Sequence, residues 1–119
     1  MAVTGLFPIL RTRDLGSLVG FYERALGGAV DYRFEDVYVA MTIGAATLGI
    51  GLERDVAPGD PIALWFYVDD VDASFAGFLA GGGSSEREPK DMPWGERVAQ
   101  VRDVDGNLIY LAAAGRSDA

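Results

Sequence analysis

The groups in this 119-residue chain able to do chemistry are carboxylates, phenols, indoles, guanidinium groups, aliphatic hydroxyls and one lysine amine, because it contains no histidine and no cysteine. That absence removes a Ser-His triad, imidazole and thiolate metal ligands, disulfides, and any side chain whose unperturbed pKa lies near neutrality. Among the groups left, Trp65 and Tyr67 lie two residues apart in an apolar run, so on a strand they share one face with Ala63. Aromatic residues on strands are commonly packing residues, and these two are read either as packing or as a stacking surface. Asp69, Asp70 and Asp72 resemble a paired-carboxylate site, but they precede a helical pattern and are read as cap and first-turn acids. Arg11 and Arg102 fall on strands, where each either pairs with a nearby acid or meets an anionic ligand group.

Half of the residues are hydrophobic, enough for one core, and the length fits a single domain spanning residues 1–119. A net charge of −8 opposes binding to nucleic acid and to anionic membrane surfaces and favours cationic small molecules. No apolar stretch approaches the ~20 residues needed to cross a bilayer, and the start lacks a signal-peptide pattern. A cytoplasmic location is expected. The whole chain is expected to fold except Met1–Gly5 and Gly115–Ala119.

The positioning elements follow from hydrophobic period. Leu6–Thr12 reads as a strand, and Asp14 caps a helix whose stripe is Leu15, Leu18, Val19, Tyr22 and Leu26, ended by Gly27-Gly28. Ala29–Phe34 is a further strand. Val37, Val39, Met41 and Ile43 then alternate with polar or small residues, as do Leu48, Ile50 and Leu52, giving a hairpin that turns at Gly44-Ala45. Glu53–Pro61 is turn-rich.

The pattern then restarts. Pro61–Val68 is a strand, and Asp69 or Asp70 caps a helix carrying Val71, Phe75, Phe78 and Leu79, stopped by Gly81-Gly82-Gly83. Ser84–Glu88, Glu96–Arg102 and Asn107–Ala113 follow as strands, with Asp105-Gly106 as a turn. The halves, about residues 5–52 and 61–113, correspond at an offset of about 56 residues. The fold class is α+β, two tandem βαβββ units.

Leu10-Arg11-Thr12-Arg13-Asp14-Leu15 with Phe21-Tyr22 and Leu26-Gly27, then Val68-Asp69-Asp70-Val71-Asp72-Ala73, then Pro93-Trp94-Gly95 with Arg102-Asp103-Val104-Asp105-Gly106-Asn107, together resemble the vicinal oxygen chelate superfamily. This is the glyoxalase, bleomycin resistance protein and extradiol dioxygenase group. The resemblance covers nearly the whole chain; Val104 departs from it, since proline is common there. It implies curved mixed sheets around a cup, paired in a homodimer, with a divalent metal held inside the cup of the enzymes.

Carried over residue by residue, the metal-ligand positions fall on Phe7, Ala63 and Tyr110, with a further one near Gly49 or Gly51. This set is a poor metal site, and the nearest acids, Glu53 and Glu96, would have to be recruited from elsewhere. No cofactor or metal is therefore expected. The cup positions are instead aromatic: Phe7, Tyr38, Trp65, Tyr67 and Tyr110, with Gly49 (and Gly51) as bare backbone and Ala63 as a small neighbour. Trp94 is either a rim stacking residue or a plug under its turn. The resulting expectation is a metal-free binding protein for a planar aromatic or cationic small molecule such as an antibiotic. The alternative is a lyase or isomerase using Tyr67, Tyr110 or Glu96 as acid or base, for which a Tyr pKa must fall from about 10 or a Glu pKa rise from about 4.3.

Overall fold

The structure is a computed structural model that describes residues 2–56 and 60–114. Its elements run β1 (Val3–Thr12), α1 (Leu15–Leu26), β2 (Ala29–Phe34), β3 (Tyr38–Ile43), β4 (Ala46–Leu52), β5 (Ile62–Val68), α2 (Val71–Ala80), β6 (Ser84–Asp91), β7 (Glu96–Arg102) and β8 (Leu108–Ala114). This is βαβββ twice, as the period changes in the sequence dictate. The compact units are offset from the repeats: one comprises residues 7–63, the other residues 1–6 and 64–119.

In the unit of residues 7–63 the strand order is β2-β3-β4-β1, with β1 parallel to β4 and the other pairs antiparallel. Helix α1 begins where the Asp14 carboxylate accepts from the Ser17 N–H at 3.0 Å. It stops at Gly27, whose φ of 68° is the left-handed conformation that glycine adopts without a Cβ penalty. Leu15 and Val19 bury against Val39, Met41 and Ile50, and Leu18, Tyr22, Ile43 and Leu48 pack around them. Leu26, the last residue of the expected stripe and of the helix, is 60% exposed. Val37 also falls outside β3 and is exposed.

In the other unit the order is β5-β8-β7-β6. Here Asp70, not Asp69, is the cap, accepting from the Ala73 N–H at 3.0 Å, while the buried Ser74 hydroxyl donates to the Asp70 carbonyl at 2.7 Å. Val71, Phe75 and Phe78 pack on Val68, Ala99, Val101, Ile109 and Leu111. Leu79, expected on this stripe, is 39% exposed. Arg97 on β7 donates to Asp72 in the first turn of α2 and to Asp91 on β6, and these two hydrogen-bonded carboxylates hold its guanidinium still more firmly protonated. Strand β1 starts at Val3 rather than Leu6, so Val3–Gly5 are ordered. The reason is pairing: the Asp69 N–H donates to the Ala2 carbonyl at 3.2 Å. Met1 and residues 115–119, also expected to be unfolded, lie outside the described residues, as do residues 57–59 of the Glu53–Pro61 connection.

The turn between β7 and β8 holds together without proline. The Asp103 carboxylate accepts from the backbone N–H groups of Asp105 and Asn107 and from the Asn107 amide, while Gly106 takes φ 86°. Val104 is 74% exposed and its side chain does not build the turn. Hydrogen bonds from Asn107, side chain first and backbone second, lower the Asp103 pKa. A carboxyl depressed in the folded state contributes stability above its unfolded pKa and loses it as pH falls through the folded value. The difference in melting temperature between the native protein and Asn107→Ala is therefore expected to be constant from pH 7 to 5 and to shrink below about pH 4, the ordinary range of an aspartate. Melting curves across that range check it; a constant difference down to pH 2.5 would show that the turn does not depend on the ionised carboxylate.

Candidate functional site

The four strands of each unit have one face under their helix and one turned away, and strand alternation decides which side chains lie on the second. In the unit of residues 1–6 and 64–119, α2 covers Phe66 and Val68 on β5, Ala99 and Val101 on β7, and Ile109, Leu111 and Ala113 on β8. The alternate residues Trp65, Tyr67 and Tyr110 therefore share the opposite face, with Tyr110 beside Gln100 in the β7–β8 register. Their rings meet. Trp65 stacks on Tyr110 at a centroid separation of 5.1 Å and 23° between planes, and Tyr67 stands edge-on to Trp65 at 6.0 Å. Trp65 is only 9% exposed, so it backs the cluster, whereas Tyr67 and Tyr110 are half-buried and present ring surface. Tyr67 also lies over Gly5, where an added Cβ would come 3.4 Å from its ring.

Trp94 sits in the β6–β7 hairpin, 40% exposed, and its indole N–H donates to the Glu96 carboxylate at 2.6 Å. It is therefore a surface ring fixed in orientation, not a plug beneath its turn. The same bond engages the carboxylate that the sequence offered as a general acid or base. Arg102, at the other end of β7, is paired with Glu86 at 3.1 Å and donates to the Gly106 carbonyl.

In the unit of residues 7–63, α1 covers Val39, Met41 and Ile43 on β3 and Leu48 and Ile50 on β4. The opposite face carries Tyr38 and Ala40 on β3, Gly49 and Gly51 on β4, and Phe7, Ile9 and Arg11 on β1. Gly49 is not bare backbone open to a ligand: a Cβ there would lie 2.7 Å from the Tyr38 hydroxyl, 2.9 Å from Ile9 and 3.2 Å from the Phe7 ring. Those three side chains close over it. Arg11 forms an ion pair with Asp60 at 2.8 Å and also donates to the Asp60 carbonyl. The eight expected residues thus gather into Trp65, Tyr67 and Tyr110, with Trp94 in a hairpin of the same unit, and Phe7, Tyr38 and Gly49, with Ala63, 1% exposed, closing that unit.

Sequence reasoning missed two aromatic residues. Tyr32 and Phe34 on β2 pair with Ala40 and Tyr38, so they join the Tyr38 face, and the Tyr32 ring lies 6.2 Å from that of Tyr38. Their spacing of two showed that they share a face. Which face depends on the register shift between Val30 and Tyr32, which composition does not reveal.

Among the described residues, no group of three or more histidines, cysteines, aspartates or glutamates stands close enough to hold a metal ion. Nor is any helix among them long and apolar enough to cross a membrane.

A duplicated βαβββ chain with aromatic faces opposite its helices defines a class of α+β protein. The chain belongs to the Glyoxalase/Bleomycin resistance protein/Dioxygenase superfamily, whose family model matches residues 4–111. Solved structures share the fold. A superfamily member from Vibrio splendidus 12B01 is 18% identical with a TM-score of 0.68, covering 94% of this chain and 99% of that one. A protein described as an NAD-dependent benzaldehyde dehydrogenase from Legionella pneumophila is 15% identical with a TM-score of 0.76, covering 92% and 99%. Methylmalonyl-CoA epimerase from Mycobacterium tuberculosis is 20% identical with a TM-score of 0.69, covering 96% and 90%. A search of curated proteins gives no match.

Proposed function

We propose that this protein is a metal-free binding protein for a planar aromatic small molecule, of the kind that sequesters an antibiotic. The observation that carries this reading is the ring cluster of Trp65, Tyr67 and Tyr110, stacked and edge-on at 5.1 and 6.0 Å, on the sheet face opposite α2. By the family resemblance Tyr110 falls on a metal-ligand position of the enzymes, and a phenol backed by an indole offers a ring face in place of a ligand. Trp94 supports the reading as an exposed ring whose polar end is already tied to Glu96. The net charge of −8 favours neutral or cationic ligands over anionic ones. Pairing into a homodimer belongs to the same reading, supported by the exposed Val3, Leu6 and Leu64 on β1 and β5.

The test is a panel of planar aromatic antibiotics titrated against the purified protein, followed by tryptophan fluorescence and melting temperature. At least one is expected to quench the indole emission and to raise the melting temperature in a concentration-dependent manner. Tyr110→Leu, which keeps an apolar side chain and removes the ring, is expected to weaken that compound by about two- to tenfold, one stacking interaction's worth of about 0.5–1.5 kcal/mol. A panel without effect on either signal would refute the binding reading.

A further inference from the structure

Gly51 has no reason within the fold to be glycine. Its backbone is not in the left-handed region, and an added Cβ would meet nothing within 4 Å. In a strand, glycine forgoes side-chain packing and costs backbone entropy, so it persists where something else needs the space. The Cα neighbours of Gly51 in the sheet are Tyr38 and Arg11, two of the larger side chains in the unit of residues 7–63. Both leave the space empty. The Tyr38 hydroxyl reaches over Gly49 instead, and the Arg11 guanidinium goes to Asp60. The result is a gap over Gly51 beside Gly49, whose own space Tyr38, Ile9 and Phe7 fill.

The charge at this gap is already balanced. The Arg11 side chain is 10% exposed and pairs with the Asp60 carboxylate at 2.8 Å, so an entering anion would find no uncompensated positive charge. A cation would find no free carboxylate there either: apart from Arg11, the face is built of Phe7, Ile9, Tyr32, Phe34, Tyr38, Ala40 and the two glycines among the described residues, and the Asp60 carboxylate is engaged by Arg11. Yet the Arg11 Nε–H is buried with no acceptor among the described residues, and a buried donor in that state is costly. We propose that the gap over Gly51 is a subsite for the edge of a flat, uncharged ring bearing a carbonyl oxygen. The bare backbone admits the edge, Tyr38 flanks it, and the carbonyl supplies the kind of acceptor that Arg11 lacks. This assignment rests on the aromatic-ligand reading above and narrows it from a neutral or cationic ligand to a neutral one.

Three tricyclic probes of one size separate the outcomes: acridone (neutral, one carbonyl), N-methylacridinium (cationic) and acridine-9-carboxylate (anionic), each titrated by fluorescence anisotropy. Acridone is expected to bind the native protein at least fivefold more tightly than either charged probe. Gly51→Val is expected to weaken acridone by about tenfold or more, since it fills the gap. Gly51→Ala, whose methyl group meets nothing in the free protein, is expected to melt no lower than the native chain and still to weaken acridone, so the test survives if the valine variant fails to fold. Unchanged acridone binding in the alanine variant, or tighter binding of a charged probe, overturns the subsite. If no probe binds the native protein, the subsite fails together with the aromatic-ligand reading.

Discussion

Trp65→Ala is expected to lower the free energy of unfolding by about 3–5 kcal/mol, the usual cost of deleting a large buried aromatic side chain. The ring is 9% exposed, stacks on Tyr110 and meets Tyr67 edge-on, so truncation removes apolar burial and two ring contacts at once. Denaturant unfolding followed by circular dichroism measures the change. Trp65→Phe should recover about half of it, because a smaller ring keeps the stack but leaves a void. The comparison with Tyr110→Leu separates the two roles assigned to the cluster. Loss at Trp65 is expected chiefly in stability, because that ring is covered, while loss at the half-buried Tyr110 is expected chiefly in ligand affinity. If Trp65→Ala melts like the native protein, the ring cluster is not a packed support.

Gly83→Ala is expected to have an effect of similar size by a different route, about 2–4 kcal/mol of destabilisation, within the range of overpacking or backbone-shifting substitutions. A Cβ at this position would stand 2.7 Å from the Arg102 carbonyl oxygen and 3.0 Å from that of Phe78. Both obstacles are backbone, in β7 and at the end of α2, and neither can swing aside as a side chain does. The Gly83 N–H also donates to the Phe78 carbonyl at 2.8 Å, so the backbone is held close at the point where the methyl group would intrude. Gly51→Ala is the matched control, since it adds a methyl group to open space on a strand; the two should differ in thermal unfolding by several degrees. Equal melting temperatures would show that the α2–β6 connection relaxes freely.

The three glycines of Gly81-Gly82-Gly83 illustrate how much the sequence conveyed and where it stopped. As a helix terminator the run was legible, and α2 does end there. That only Gly83 is sterically required, while Gly82 is needed for its φ of 108°, depends on how closely β7 passes, which no local pattern encodes. The glycines of β4 repeat the lesson. Gly49 and Gly51 looked interchangeable as two bare positions on one face, and the fold made them opposites, one roofed by Tyr38, Ile9 and Phe7 and the other open. The direction in which a long neighbouring side chain leans is a tertiary choice.

By itself the sequence determined the element order, the cap at Asp14 and a second cap at Asp69 or Asp70, the duplicated βαβββ plan and the family. Each rests on a short-range signal: a period of two or near 3.6, a capping side chain, or a motif of a few residues. It also fixed which chemistry is missing, because composition alone removes histidine and cysteine. Tertiary structure decided that β1 begins at Val3, that Tyr32 and Phe34 join the Tyr38 face, that Trp65 is covered while Tyr110 is not, and that the opening lies over Gly51. These depend on strand register and on contacts between residues far apart in the chain. Such contacts are set by how whole faces pack, and periodicity constrains a face without saying what meets it.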